Sequence, residues 1–351
     1  MESVYIEITD SCNLHCSFCP CGTRSQNGDT SGALRNFMPT PLFDACIAGA
    51  QEIGAKNVFF HVLGEPTLHP GFAHYLKKLE QTPLKLTLTT NGTTIERTGR
   101  SILASPAVRQ VNFSTHAYAE LPREAAERYL QNVLDFCRIA AVERPDLYIN
   151  LRLWNVGAAE ATPWNRYMLD RIRETFEVEV TPGHFCSRHK SFNISGRIYL
   201  HEDTRFVWPG LNKVTSASSV TLETNLHEDT RFEWPGSNKV TSTSSVTLET
   251  RDESGSASSV TFEARDERRF VLGTCRALDT HVAILHDGRV VACCLDHSGQ
   301  ITLGNIQETS LAEILEAPLA RELREGFAQN ELRHPLCKTC SYCKRFSRKK
   351  A

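Results

Sequence analysis

The first 180 residues alternate strand-like and helix-like segments, and that alternation restricts the fold more than any other feature. Strands are expected at Val4–Thr9, Asn57–Val62, Leu84–Thr89, Val108–Phe113, Leu147–Leu153 and Glu177–Thr181. Helices are expected between them at 41–53, 71–81, 94–103, 121–141 and 164–175, the first with Thr40 as N-cap and Pro41 opening the first turn. Repeated βα units imply a parallel sheet with right-handed connections. In such sheets the loops at the C-terminal strand ends carry the chemistry.

The loop after the first strand reads Cys12-Asn13-Leu14-His15-Cys16-Ser17-Phe18-Cys19. Three thiolates on one short loop can hold three irons of a [4Fe–4S] cube and leave the fourth iron open to a cofactor. A zinc knuckle is the alternative, but zinc sites pair C-x2-C units and use four ligands, and here the local count stops at three. The run, with Phe18 before its third cysteine, resembles the cluster loop of the radical S-adenosylmethionine (radical SAM) enzymes. The resemblance implies that the open iron chelates the methionine part of the cofactor and that the reduced cluster cleaves it to a 5′-deoxyadenosyl radical. It also implies a partial (β/α)6 barrel.

Later strand ends carry further motifs of that family. Leu63-Gly64-Glu65-Pro66 resembles its Gly-Gly-Glu-Pro edge, with Leu63 in place of the first glycine. In the family that backbone edge hydrogen-bonds the methionine amino group. Thr90-Asn91-Gly92 resembles the turn after the third strand, and Ser114 stands where a serine reaches the cofactor ribose or carboxylate. Arg152 is a candidate partner for the methionine carboxylate. His116, at a strand end, is a candidate for contact with cofactor or substrate. His61, within a strand, is assigned to core packing.

A second cysteine set begins at Cys275 and runs C-x12-G-x4-C through Gly288 to Cys293, around an Asp287-Gly288 hairpin turn. A short helix is expected from Ser310 to Glu316, and the set closes with Cys337, Cys340 and Cys343. This looks like the SPASM and Twitch extensions of radical SAM enzymes, which bind auxiliary [4Fe–4S] clusters. The resemblance implies Cys275, Cys293, Cys337 and Cys340 as ligands, with Cys294 and Cys343 as substitutes or bystanders. A structural zinc site is the alternative for the same four residues. Full thiolate ligation would make this cluster an electron carrier and the net reaction an oxidation.

Between the two cysteine sets, residues 200–225 recur almost unchanged at 226–251, and a truncated copy follows within 252–263. The repeat holds few large apolar residues; Phe206, Trp208, Phe232 and Trp234 are its anchors. One copy is expected against the auxiliary domain with the others extruded, either as a tolerated insertion or as a substrate lid. The fold class is therefore α/β: residues 1–185 a radical SAM partial (β/α)6 TIM-like barrel, 186–272 a β-rich tandem-repeat insertion, and 273–351 a small α+β SPASM/Twitch-like domain.

Composition sets limits on function. The 351 residues are 40% hydrophobic and 23% charged, enough for a sizeable core. A net charge of −2 makes no electrostatic case for nucleic acid or an anionic membrane, and no apolar run is long enough to cross a bilayer. Thirteen cysteines with no export signal point to a reducing, cytoplasmic setting and to metal ligation over disulfides. Cys46 and Cys137 fall on apolar helix faces as core residues; Cys21 is a bystander or redox-active thiol of the cluster loop. Cys186, with His116, is the candidate for direct catalysis, as an acid or hydrogen-atom donor.

The resemblance implies a radical SAM enzyme that oxidises a small molecule or a protein side chain, with a flavodoxin- or ferredoxin-type electron donor. A ribosomal-peptide maturase forming a side-chain cross-link is the second choice, since no leader-recognition domain is expected ahead of Met1. From another class, a non-catalytic zinc-stabilised binding module remains as the competing reading.

Overall fold

A computed structural model describes residues 1–16, 18–21, 36–116, 121–153, 162–180, 191–202, 208, 246–251, 257–262 and 271–346. Cys186, Phe206, Phe232 and Trp234 lie outside the described residues. The strands are β1 (Ser3–Ile6), β2 (Asn57–Phe59), β3 (Lys85–Thr90), β4 (Val108–Phe113), β5 (Tyr148–Leu153), β6 (Ser191–Ser195), β7 (Ile198–Glu202), β8 (Val246–Arg251), β9 (Ala257–Phe262), β10 (Val271–Leu272), β11 (His281–Ile284), β12 (Arg289–Val291), β13 (Thr302–Asn305) and β14 (Glu331–Leu332). The helices are α1 (Thr40–Glu52), α2 (Phe72–Leu79), α3 (Ile95–Ala104), α4 (Arg123–Glu143), α5 (Thr162–Phe176), α6 (Leu311–Leu315), α7 (Pro318–Ala328) and α8 (Pro335–Thr339).

Ten strands form one sheet in the order β13-β12-β11-β1-β2-β3-β4-β5-β7-β6. The run from β11 to β7 is parallel throughout. Parallel strands with helices on both faces read as continuous apolar runs. These strands alternate instead. In β5, Ile149, Leu151 and Leu153 are buried while Tyr148, Asn150 and Arg152 are partly exposed, and β1 and β3 show the same period of two. One face of the sheet therefore packs under the helices, and the other stays polar. On that polar face Gln110 Nε2 and Asn150 Nδ2 donate to Asn112 Oδ1 at 2.8 and 3.0 Å.

The sixth parallel strand is not where its sequence suggests. Glu177 adopts φ 52°, a left-handed conformation that ends α5. The Arg173 side chain then takes the Val180 carbonyl at 2.8 Å, so that carbonyl is spent on a side chain and no strand forms over Glu177–Val180. The place beside β5 is filled by β7, with Arg152 opposite His201. Thr40 is likewise the first helical residue rather than the cap, which falls on Pro39 without a side-chain hydrogen bond.

The C-terminal hairpin is part of the same sheet. Strand β11 pairs in parallel with β1, Ile6 opposite Ile284, and β12 returns antiparallel. This covers the edge that β1 would otherwise expose. Helix α6, capped by the Ser310–Glu313 box, packs on α1. The approach is close: a β-carbon on Gly49 would lie 3.0 Å from both Ile306 Cδ1 and Leu311 Cβ. By compactness, residues 1–211 and 272–351 form one unit and 212–271 another. Within the second unit, β8 and β9 pair antiparallel with Val246 opposite Phe262, joining the end of the second repeat to the truncated copy.

Gly49→Val is expected to lower stability by about 1–3 kcal/mol through overpacking, although valine restricts the unfolded chain more than glycine does. Urea unfolding of the full chain checks this.

Candidate active site

Cys12, Cys16 and Cys19 lie beyond the C-terminal end of β1, where Cys19 N donates to Cys16 O at 2.9 Å and closes a turn. Gly64 fixes the loop's position. It adopts φ +73°, and a β-carbon there would stand 2.3 Å from Thr9 O. Only glycine lets the end of the second strand segment approach the start of the cluster loop this closely. The contact is sealed by Glu65 N donating to Ser11 O at 2.8 Å.

Glu65 is 1% exposed, and its carboxylate is used inside the protein. Oε1 accepts from Thr67 N at 3.1 Å, Thr67 Oγ1 at 2.6 Å and Thr90 Oγ1 at 2.7 Å; Oε2 accepts from Asn91 N at 2.5 Å. Burial pushes the carboxyl up, opposed by these donors. What this edge offers a ligand is thus backbone, while the carboxylate ties the end of β2 to the turn after β3. Asn91 Nδ2 points at Cys12 Sγ, 3.7 Å away, and donates to Asn13 Oδ1 at 2.9 Å.

These groups surround a cavity of about 140 Å³, whose lining includes Cys12, Cys16, Phe18, Cys19, Cys21, Gly64, Glu65, Asn91, Ser114 and His116. Phe18 and His116 meet with ring centroids 5.4 Å apart. A larger cavity of about 430 Å³ holds the second cysteine set: Cys275, Cys293, Cys294, Cys337, Cys340 and Cys343 all line it. Cys343 Sγ lies 2.9 Å from Cys340 O, and Cys294 shares a hydrogen bond with the Tyr5 hydroxyl. Arg152 lines this larger cavity, and its carbonyl accepts from Thr115 Oγ1 at 2.7 Å and lies 3.3 Å from Nδ1 of His116, which lines the smaller one. Cys46 and Cys137 are fully buried in the core.

The two cavities share a wall made of His61, Val62, Thr89 and Trp208. Sequence reasoning placed His61 in the core. Its actual position follows from the period of two that sends Phe59 and His61 to the polar face. Burial, aided by the Arg152 charge, pushes His61 down to about 3, so its imidazole is neutral. Its Nδ1 is buried and has no hydrogen-bond partner among the described residues. Trp208, from the first repeat copy, packs edge-on against His297 at 5.4 Å.

Four thiols line the smaller cavity and six the larger, although among the described residues no group of three such side chains is drawn together around a metal ion's position. Burial first, then Glu65 and Cys21, pushes Cys12 up to about 12, while hydrogen bonding from Cys21 pulls Cys19 down. Burial and neighbouring thiols likewise push Cys337 up to about 12 and raise Cys275 and Cys293. Buried thiols that discourage one another's ionisation need a bound cation to become thiolates, as metal ligation supplies.

Comparison with known proteins agrees. Residues 6–147 match the radical SAM superfamily, and residues 275–344 match the SPASM iron–sulfur cluster-binding domain. The chain carries a radical SAM domain and a SPASM domain. Together these imply S-adenosylmethionine at a [4Fe–4S] cluster and auxiliary iron–sulfur binding. A curated relative, the tungsten-containing aldehyde ferredoxin oxidoreductase cofactor-modifying protein of Pyrococcus furiosus, is 31% identical over 116 residues. That match spans 32% of this chain and 30% of the relative. Among solved structures, anSMEcpe with bound AdoMet and Cp18Cys peptide has a TM-score of 0.52 at 15% identity, covering 97% of this chain and 87% of that one. SuiB of Streptococcus suis bound to S-adenosylmethionine has the same TM-score and identity over 97% and 71%. At such identity these likenesses concern the fold. Among the described residues of this radical SAM protein, no helix is long and apolar enough to cross a membrane.

Gly64→Ala is expected to cost about 1–3 kcal/mol in backbone strain alone. It should also displace the cluster loop, read as lower iron content after anaerobic reconstitution.

Proposed function

We propose that this radical SAM enzyme oxidises a small molecule or a single side chain held in the larger cavity. The observation that carries the reading is the shared wall. A substrate seated in about 430 Å³ against His61 and Thr89 has the cofactor cavity on one side and the auxiliary cysteines on the other. Cys12, Cys16 and Cys19 hold the cleaving cluster; Cys275, Cys293, Cys337 and Cys340 hold the auxiliary one, with Cys343 in reserve. When bound, these groups supply a 5′-deoxyadenosyl radical and an electron acceptor.

The chain's own residues do the rest. Phe18, Asn91, Ser114 and the Gly64 backbone edge seat the cofactor, and the Glu65 carboxylate keeps Asn91 in place. Arg152 and Tyr5 face the substrate from the barrel side. The neutral His61 at the junction, whose burial and neighbouring Arg152 charge disfavour its protonated form, offers the substrate a ring nitrogen as a hydrogen-bond partner. The buried apolar groups around the auxiliary cysteines, Ile301, Phe327 and Leu332 among them, exclude water that would quench a radical. A flavodoxin- or ferredoxin-type donor supplies the reducing electron.

Anaerobic reconstitution with iron and sulfide, then dithionite and S-adenosylmethionine, should load about eight irons per chain and yield 5′-deoxyadenosine. Cys16→Ala should abolish 5′-deoxyadenosine formation while sparing the auxiliary cluster. A colourless chain that takes up only zinc would overturn the proposal in favour of a metal-stabilised binding module.

A further inference from the structure

Glu7, just past the end of β1, is 2% exposed, and its two carboxylate oxygens serve different segments. Leu63 N donates to Oε1 at 2.9 Å. His286 N donates to Oε2 at 3.3 Å, and His286 Nδ1 lies 3.0 Å from the same oxygen. The carboxylate therefore joins the strand edge that borders the smaller cavity to the turn between β11 and β12 of the auxiliary region. Glu7 N itself donates to Ile284 O at 2.8 Å, so backbone and side chain tie the same two regions.

The tie has a directional consequence. A peptide unit is planar, with N–H and C=O on opposite sides. Holding Leu63 N toward Glu7 turns the Val62 carbonyl the other way, and Val62 lines both cavities. Leu63 stands where the family motif has its first glycine. Its amide is spent on Glu7, so the orientation of this edge is set from the β1 end.

We propose that Glu7 and His286 are a positioning pair that holds the cofactor-binding strand edge in register with the auxiliary hairpin. This rests on the reading that the smaller cavity takes S-adenosylmethionine. The groups facing His286 are Glu7, Asp10 and Asp287, and Asp287 is itself paired with Arg289 at 2.7 Å. Burial lowers the His286 imidazole, but the Glu7 hydrogen bond and the three carboxylate charges outweigh it, and the net direction is up. The sign follows. The charged pair is complete below the ordinary histidine value and weakens as pH rises through the raised one. Cofactor affinity is therefore greatest on the acid side of that window.

The test uses the full chain, anaerobically reconstituted, with S-adenosylmethionine binding measured by calorimetry from about pH 6 to 9. It also uses a histidine NMR titration of the unloaded chain. The expected wild-type result is an affinity that falls about tenfold across the window, with His286 titrating above about 6.5. Glu7→Gln should bind about tenfold more weakly at the acid end, lose the pH dependence, and return His286 to about its ordinary value. His286→Asn keeps a side-chain amide donor near the Nδ1 position without a titratable charge. It should match the wild type at the alkaline end, about tenfold weaker than the wild type at the acid end, and be flat with pH. Equal affinity of all three proteins at every pH overturns the pair. If the wild type binds no S-adenosylmethionine, the cofactor reading fails instead. The titration then decides: His286 at its ordinary value in the wild type overturns the pair, and a raised value that Glu7→Gln removes upholds it.

Discussion

Where parallel strands stop, their last amides lose ladder partners, and burial makes that loss expensive. This protein meets the problem with buried carboxylates. Glu7 takes the amides of Leu63 and His286, Glu65 takes those of Thr67 and Asn91, and Asp296, 1% exposed, takes those of Gln300 and Ile301 at 2.8 and 2.6 Å. Glu7 and Glu65 bind segments far apart in the chain into one frame, while Asp296 closes its own loop. The cysteine loop, the strand edge and the auxiliary hairpin are held relative to one another by these bonds, because the regular ladder ends before it reaches them.

The second constraint is the polar face of the sheet. Alternation leaves Asn112, Asn150, Arg152, Tyr5 and His61 on one side while the aliphatic residues pack beneath the helices. A fully apolar parallel sheet would have filled that side with helices or side chains. Here it carries a polar surface at the end where both cysteine sets gather. The same strand ends serve two cavities because β11 extends the sheet beyond β1, so one sheet supports both sites.

Much of this was legible in local sequence. The cysteine spacings, the strand-end motifs and the alternation of βα units need only a few neighbouring residues, and the family matches agree with them. The sixth strand was misread because Glu177–Val180 looks strand-like, whereas the Arg173 side chain claims the Val180 carbonyl. A histidine inside an apolar strand usually belongs to the core; the place of His61 depends on which face of the strand turns toward the cavities.

The amino-acid sequence alone determined the chemistry: three cysteines on one loop, a second set far along the chain, and strands that place motifs at their ends. Those are short-range patterns, carried by residue type and spacing. Tertiary structure alone decided that β11 lies beside β1, that Arg152 lines the larger cavity, and that His61 stands in the wall between the two. The reason is physical. Glu7 and His286 are bonded across 279 positions of chain, and no local pattern records a contact of that separation.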